Sequence, residues 1–276
     1  MEEKVHSIKM PFFEVIRNLS HHHFGWCHKI SCHTFSWSLT RVFEQYYRII
    51  NVWNPYCIGD NHQNSLFLAN DIESFIIRLR ILLNEVAFII RQLYPNQVRG
   101  MPSPKGERRT ENKEISINDL RKFTLKNPDF DPKLTELFKR NKDWLDILRK
   151  QRDDIVHYKS QVQIFESNKP EMTFAIMNPG EDYPTQKTQD SEIRIVLTPV
   201  FEFVNCQMVS LLIFLNQDVV EFIMSMVVSK GFKYGETGLP ESTRFSCTGV
   251  ALFNLINECA NAYPRNHNPQ SSDRLQ

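Results

Sequence analysis

The stretch Ser65–Leu93, SLFLANDIESFIIRLRILLNEVAFIIRQL, decides the fold class. Leu68, Ile72, Phe75, Ile76, Leu79, Leu82, Leu83, Val86, Ile89, Ile90 and Leu93 recur at steps of three and four residues. That spacing lays one apolar stripe along a helix of roughly seven turns. Tyr94-Pro95 stops it, because the residue before a proline is pushed out of the α region. A helix of this length must bury its stripe against other helices, so the chain is predicted to be mainly α, a bundle of long antiparallel helices. The composition agrees: 20 Phe supply bulky packing, and only 9 Gly argue against a loop-rich or barrel architecture.

Upstream, Leu39, Val42, Phe43, Tyr46, Tyr47, Ile49 and Ile50 predict a helix from Trp37 to Val52, ended by Asn54-Pro55. Residues 1–35 are read as an irregular N-terminal arm whose aromatics pack on the body. Downstream, residues 96–116 are polar and broken by Pro102, Pro104 and Gly106, which predicts a surface loop or linker. Ile117 to Lys126 predicts a short helix capped by Ser116 or Asn118. Asp131-Pro132 then opens a helix running from Leu134 to about Tyr158, with a stripe of Leu134, Leu137, Phe138, Trp144, Leu145, Leu148, Ile155 and Val156.

After Tyr158 the period changes from helix to strand. Val162 and Ile164, then Met172, Phe174 and Ile176, then Ile193, Ile195 and Leu197 alternate with other residues. A small antiparallel β-meander over 162–197 is therefore expected, inserted after that helix. Thr198-Pro199 caps a further helix reaching about Ser229, and a last helix spans about Cys247 to Ala262. The domain reading is an arm at 1–35, a helical domain at 36–262, and a disordered tail at 263–276.

Several function classes lack support. There is no phosphate-binding GxxxxGK loop, dinucleotide fingerprint, HExxH or GxSxG. The formal charge of +1 makes no global field for nucleic acid, so any basic surface is local. One such region is Arg99–Lys126, with eight Lys/Arg against four Asp/Glu. The first residues, MEEKVHSIKM, carry no apolar signal core, which points to a cytoplasmic chain. The uncharged run of 15 residues from Phe203 to Gln217 holds Asn205, Gln207 and Asn216 and reads as a buried core helix, not a membrane span. Cys206 in that run reads as a small hydrophobe. His21, His22, His23, Cys27, His28, Cys32 and His33 form a histidine- and cysteine-rich segment without the paired knuckles of zinc sites. No metal or cofactor is expected.

The strongest chemical signal is Arg152-Asp153-Asp154-Ile155-Val156-His157-Tyr158. Arginine is a fixed planar cation suited to phosphate oxygens, and histidine can give or take a proton near neutrality. On a wheel of ~100° per residue Arg152 falls in the apolar stripe, about 140° away from His157. Asp153 and His157 form an i, i+4 pair, which lets the carboxylate orient the ring. On this geometry the two cannot grip one small group unless the arginine reaches around, the helix bends, or a second copy contributes, and a two-fold interface would bring one motif against another. The alternatives left open are a structural Arg152 paired with a core carboxylate and a non-catalytic binding module.

Arg-x4-His with a polar residue after the arginine, late in a long helix of a helical bundle, resembles the HEPN superfamily. The matching positions are Arg152, Asp153 and His157, and the resemblance covers roughly residues 36–229. Some toxin branches of that superfamily place a tyrosine two residues after the histidine; here Lys159 stands there and Tyr158 is adjacent. The resemblance implies a homodimeric, metal-independent endoribonuclease, acting in toxin–antitoxin or phage-defence systems, with an antitoxin as a possible partner and single-stranded RNA as substrate. It implies His157 as general acid or base, Arg152 as the group that stabilises the phosphate, and Asp153 as its polar companion. Asp154, Tyr158 and Lys159 are candidate binding residues beside them. It equally implies a non-catalytic nucleotide- or protein-binding module, since some members have that role.

Overall fold

The apolar stripe of Ser65–Leu93 is the axis of the molecule in the computed structural model. It lies in a helix spanning His62–Gln92, and every one of the eleven stripe residues named above is buried. Burying a Leu, Ile or Phe side chain contributes about 1.5–3 kcal/mol each, so this one face accounts for much of the stability. The structure describes residues 5–8, 10–19, 29–52, 62–94, 98–102, 115–157, 160–165, 172–177, 185–187, 193–195, 197–231 and 245–248. The expected terminal helix from about Cys247 to Ala262 starts instead in a strand, Phe245–Thr248, and its remainder, the tail, Tyr158, Lys159 and the side chains of the His21–Cys32 segment lie outside them.

In chain order the elements begin with β1 (Val5–Ile8), α1 (Pro11–Leu19), α2 (Lys29–Tyr47, continued by a π turn over Arg48–Val52) and α3 (His62–Gln92). Next come α4 (Ile117–Lys126), α5 (Pro132–Arg140) and α6 (Lys142–His157). Strands β2 (Gln161–Phe165), β3 (Thr173–Met177), β4 (Thr185–Lys187), β5 (Ile193–Ile195) and β6 (Thr198–Pro199) follow. The apolar helix α7 (Val200–Ile213) runs through a π turn, Phe214–Val219, into α8 (Val220–Lys230). Strand β7 (Phe245–Thr248) pairs antiparallel with β1. The described chain is mainly helical, with a small three-stranded antiparallel sheet.

The first 35 residues are more regular than an arm. Strand β1 pairs with β7, and α1 buries Phe12, Val15, Ile16 and Leu19. Phe12 and Phe13 stack on Phe35 at ring distances of 4.9 and 5.6 Å. Helix α2 also starts earlier than the apolar period indicates, at Lys29.

The strand region departs from a single meander. The sheet order is β2-β3-β6, so its third strand is Thr198–Pro199, which pairs with Thr173 and Phe174. Pro199 makes no side-chain cap for α7. Ile193–Ile195 pairs instead with Thr185–Lys187 in a separate two-stranded ribbon. Alternation identifies strands but not partners, because any of these short strands satisfies the same period.

The helix expected over 134–158 is two helices. Asp131 caps α5 as its sequence implies, accepting from the Leu134 amide at 3.0 Å, with Pro132 opening the helix. The run then breaks at Asn141. Its amide nitrogen donates to the Leu137 carbonyl at 3.0 Å and to Asp218 Oδ2 at 2.9 Å. Arg140 reaches Asp218 Oδ1 at 2.7 Å. Asp218 is buried and sits in the π turn after α7, where one extra residue per turn aims it at the α5–α6 junction. Helix α6 is anchored at its start by Trp144, whose indole N–H donates to Gln207 at 2.8 Å and whose ring meets Phe214.

By length and composition the continuous helix Val200–Lys230 could cross a bilayer, yet 56% of its most apolar window is buried inside the chain. Its core face carries Val204, Met208, Leu211 and Leu215. Cys206 faces the exposed side instead, because the residues that bury α7 around it are Phe203, Val204, Gln207 and Met208.

Tyr94 closes α3. Its hydroxyl donates to Asp131 Oδ2 at 2.6 Å, under the Lys230 ammonium. Burial, then the Asp131 bond, raises its pKa far above the ordinary 10.0. Above that pH the unfolded chain loses a proton that the folded chain keeps. The contribution is therefore complete below pH 10 and declines as the pH rises past it, by up to about 1.4 kcal/mol per unit. Urea midpoints on either side of pH 10 should fall more steeply for wild type than for Tyr94→Phe; equal slopes would refute this.

Candidate functional site

Helix α6 fully buries only Leu145 and Leu148; in its last two turns Ile155 still packs partly buried against the core, and the exposed residues are Val156 and His157 at the end. Arg152 stands between Leu148 and Ile155 on that face and is half-buried. Val156, also assigned to the stripe, is exposed.

In these last turns Arg152 Nη1 lies 2.8 Å from His157 Nε2. The two Cα positions are on different sides of the helix, but the long arginine side chain reaches around to the ring. One copy of the chain thus brings the two groups together, and the geometric need for a second copy to do so disappears. Arginine has no acceptor, so in this contact the ring nitrogen is the accepting atom.

Asp153 does not orient the imidazole. Its Oδ1 accepts from Arg152 Nη1 at 3.0 Å and its Oδ2 from Arg149 Nε at 3.3 Å, so it bridges two arginines. Among the described residues Arg152 therefore has no core carboxylate as its partner; its ion pair is with its immediate neighbour. Asp154 makes no ion pair with these arginines among the described residues. Burial, acting against the pull of Lys150 and with the push of Asp153, raises its carboxyl pKa, and its carbonyl accepts the Ser160 amide at 3.1 Å. The other two candidate binding residues, Tyr158 and Lys159, lie outside the described residues.

Helices α3 and α4 complete the cluster. Ser116 caps α4, accepting from the Asn118 amide at 3.1 Å and from Arg80 Nη2 at 2.9 Å. Asn84 of α3 accepts the Ile117 amide at 3.1 Å, which docks the start of α4 on α3. The side chain of Asn118 faces two obligate donors, so its oxygen turns toward them. It accepts from Arg80 Nη2 at 2.9 Å and from Arg149 Nε at 3.3 Å. A continuous path results: Arg80, Asn118, Arg149, Asp153, Arg152, His157.

Arg80, Arg149 and Asn118 are the residues that motif reasoning missed. A signal for Arg80 existed: it stands four residues after Ile76 and three before Leu83, on the buried side of α3. Arg149–Asp153 is likewise legible as an i, i+4 pair. Among residues whose side chains are described, His157 is the one histidine, and no cluster of His, Cys, Asp or Glu there could hold a metal. What the arrangement offers is an imidazole beside concentrated guanidinium charge. Comparisons with known protein families, curated proteins and solved structures found no match to this chain.

Proposed function

We propose that the chain is a metal-independent endoribonuclease of the HEPN type, a helical bundle that acts on single-stranded RNA as a homodimer. The contact between Arg152 and His157 is the observation that carries this reading. A substrate phosphate draws Arg152 toward its oxygens and uncovers His157 Nε2. The ring then takes the proton of the ribose 2′-OH, while Arg152 stabilises charge on the phosphorus-bound oxygens. The 2′-oxygen attacks phosphorus, the bond to the 5′-oxygen breaks, and a 2′,3′-cyclic phosphate is left. The leaving 5′-oxygen needs a proton, and in a dimer the donor is the second copy's His157 in its protonated imidazolium form, which is left neutral as the first ring becomes the imidazolium.

A second reading, a nucleotide-binding module that does not cut, is favoured by the position of Asp153. Its carboxylate is engaged by Arg149 and Arg152, so no carboxylate fixes the His157 ring. Labelled single-stranded RNA incubated with the protein in EDTA separates the two. The nuclease reading expects fragments with 2′,3′-cyclic ends and none from an all-2′-deoxy strand. Binding without cutting would favour the module.

A further inference from the structure

We infer that Arg149, backed by the buried Arg80 and oriented through Asn118, forms a seat for a second phosphate group beside the Arg152–His157 pair. This deepens the proposed function and rests on it for the identity of the first phosphate.

Three guanidiniums converge here from two helices, Arg80 from α3 and Arg149 and Arg152 from α6. Among the described residues a single carboxylate, that of Asp153, touches any of them, and it is shared by Arg149 and Arg152. Arg80 is 8% exposed and its hydrogen-bond partners are neutral, Ser116 and Asn118. Burying a cation without a counter-charge is costly. Burial pushes the Arg80 pKa down to about 10, and Arg152 and Arg149 push the same way, while Asp153 and Asp119 oppose them. The cluster therefore holds more positive charge than its own carboxylate neutralises, and an arriving anion relieves the excess.

Arg149 is placed to receive that anion. Its side chain is 39% exposed, and its hydrogen bonds among the described residues use Nε alone. Both Nη groups remain, and they are the parallel donors that grip phosphate oxygens. Arg149 and Arg152 are three residues apart on one helix, about 4.5 Å along its axis, so they share a side. A nucleic-acid backbone presents phosphates in series and matches two such cations. Arg80 touches no ligand in this arrangement; it is a positioning residue that holds Asn118 and supplies charge from behind.

The test uses the full chain and two probes: a short all-2′-deoxy single strand, which has no 2′-OH to attack, and inorganic phosphate. Binding of the strand is followed by fluorescence anisotropy across a salt series. Arg149→Ala should weaken it roughly tenfold and lower the slope of log affinity against log salt by about one. Arg149→Lys should keep the slope but lose part of the affinity, since it keeps the charge without the fork. Arg80→Gln should weaken binding in the same direction with a reduced slope, which a merely structural role would not produce. Inorganic phosphate raising the Tm of wild type but not of Arg149→Ala would extend the seat to free phosphate. A response from the strand alone would confine it to a backbone phosphate.

Wild-type affinity and slope in Arg149→Ala, with phosphate acting equally on both proteins, would overturn the inference whatever Arg80→Gln does. The two levels separate cleanly. A chain that binds through Arg149 yet cuts no RNA keeps the seat and loses the nuclease reading. A chain that cuts RNA while Arg149→Ala binds normally loses only the seat.

Discussion

Replacing His157 with alanine should abolish RNA cleavage in EDTA, a loss of about 10²–10⁴-fold if the ring is the proton-transfer group. The fold should be untouched, because His157 is exposed and its one hydrogen bond is to Arg152. Arg152→Ala should also cut slowly while costing under about 1 kcal/mol, since its ion pair with Asp153 is partly solvated. Arg152→Lys should fail to restore the rate, because lysine lacks the planar fork. Cleavage rates and urea midpoints of the three variants decide the matter. Undiminished cutting by His157→Ala would end the catalytic reading, and a large drop in stability for Arg152→Ala would return that residue to a structural role.

Removing Asp218 should be the most damaging change far from the site. Its side chain is 5% exposed and serves Arg140 at 2.7 Å through one oxygen and Asn141 at 2.9 Å through the other. Asp218→Ala leaves both donors facing an apolar gap, which costs about 2–3 kcal/mol. The upper range for a broken buried pair is not reached, because Arg140 is 31% exposed and keeps Glu221 at 3.5 Å. Asp218→Asn should cost less, since its amide oxygen still accepts from one of them. An unchanged urea midpoint for Asp218→Ala would show that the junction of α5 and α6 is held by packing alone.

The helical core was legible because its period is long. The α3 stripe needed no knowledge of neighbours, and the caps at Ser116 and Asp131 are local bonds with local signatures. The break at Asn141 was not legible. Phe138 and Leu145 are seven residues apart, which keeps them on one face of an uninterrupted helix, and no Gly or Pro marks the interruption. The polar run Lys139–Asp143 suited a solvated turn equally well. Whether Arg152 reaches around to His157 stayed open on the wheel for a different reason, since a wheel places Cβ atoms and ignores the six heavy atoms of an arginine beyond them. Arg80 and Asn118 stand 69 to 72 and 31 to 34 residues before Arg149 and Arg152 in the sequence, and only tertiary packing closes such distances.

The sheet meets the helices at one well-defined bond. Glu73 of α3 accepts the amide of Val162 at 2.8 Å, four residues after the position of Tyr158. Strand β2 lies at the edge of its sheet, and Val162 would otherwise offer that N–H outward. An open edge is a template on which another chain can add a strand and start an aggregate. Here a carboxylate already occupies the donor and sets a negative charge where an incoming backbone carbonyl would have to come. The residue that fastens β2 to the bundle therefore also serves as a guard against intermolecular strand addition.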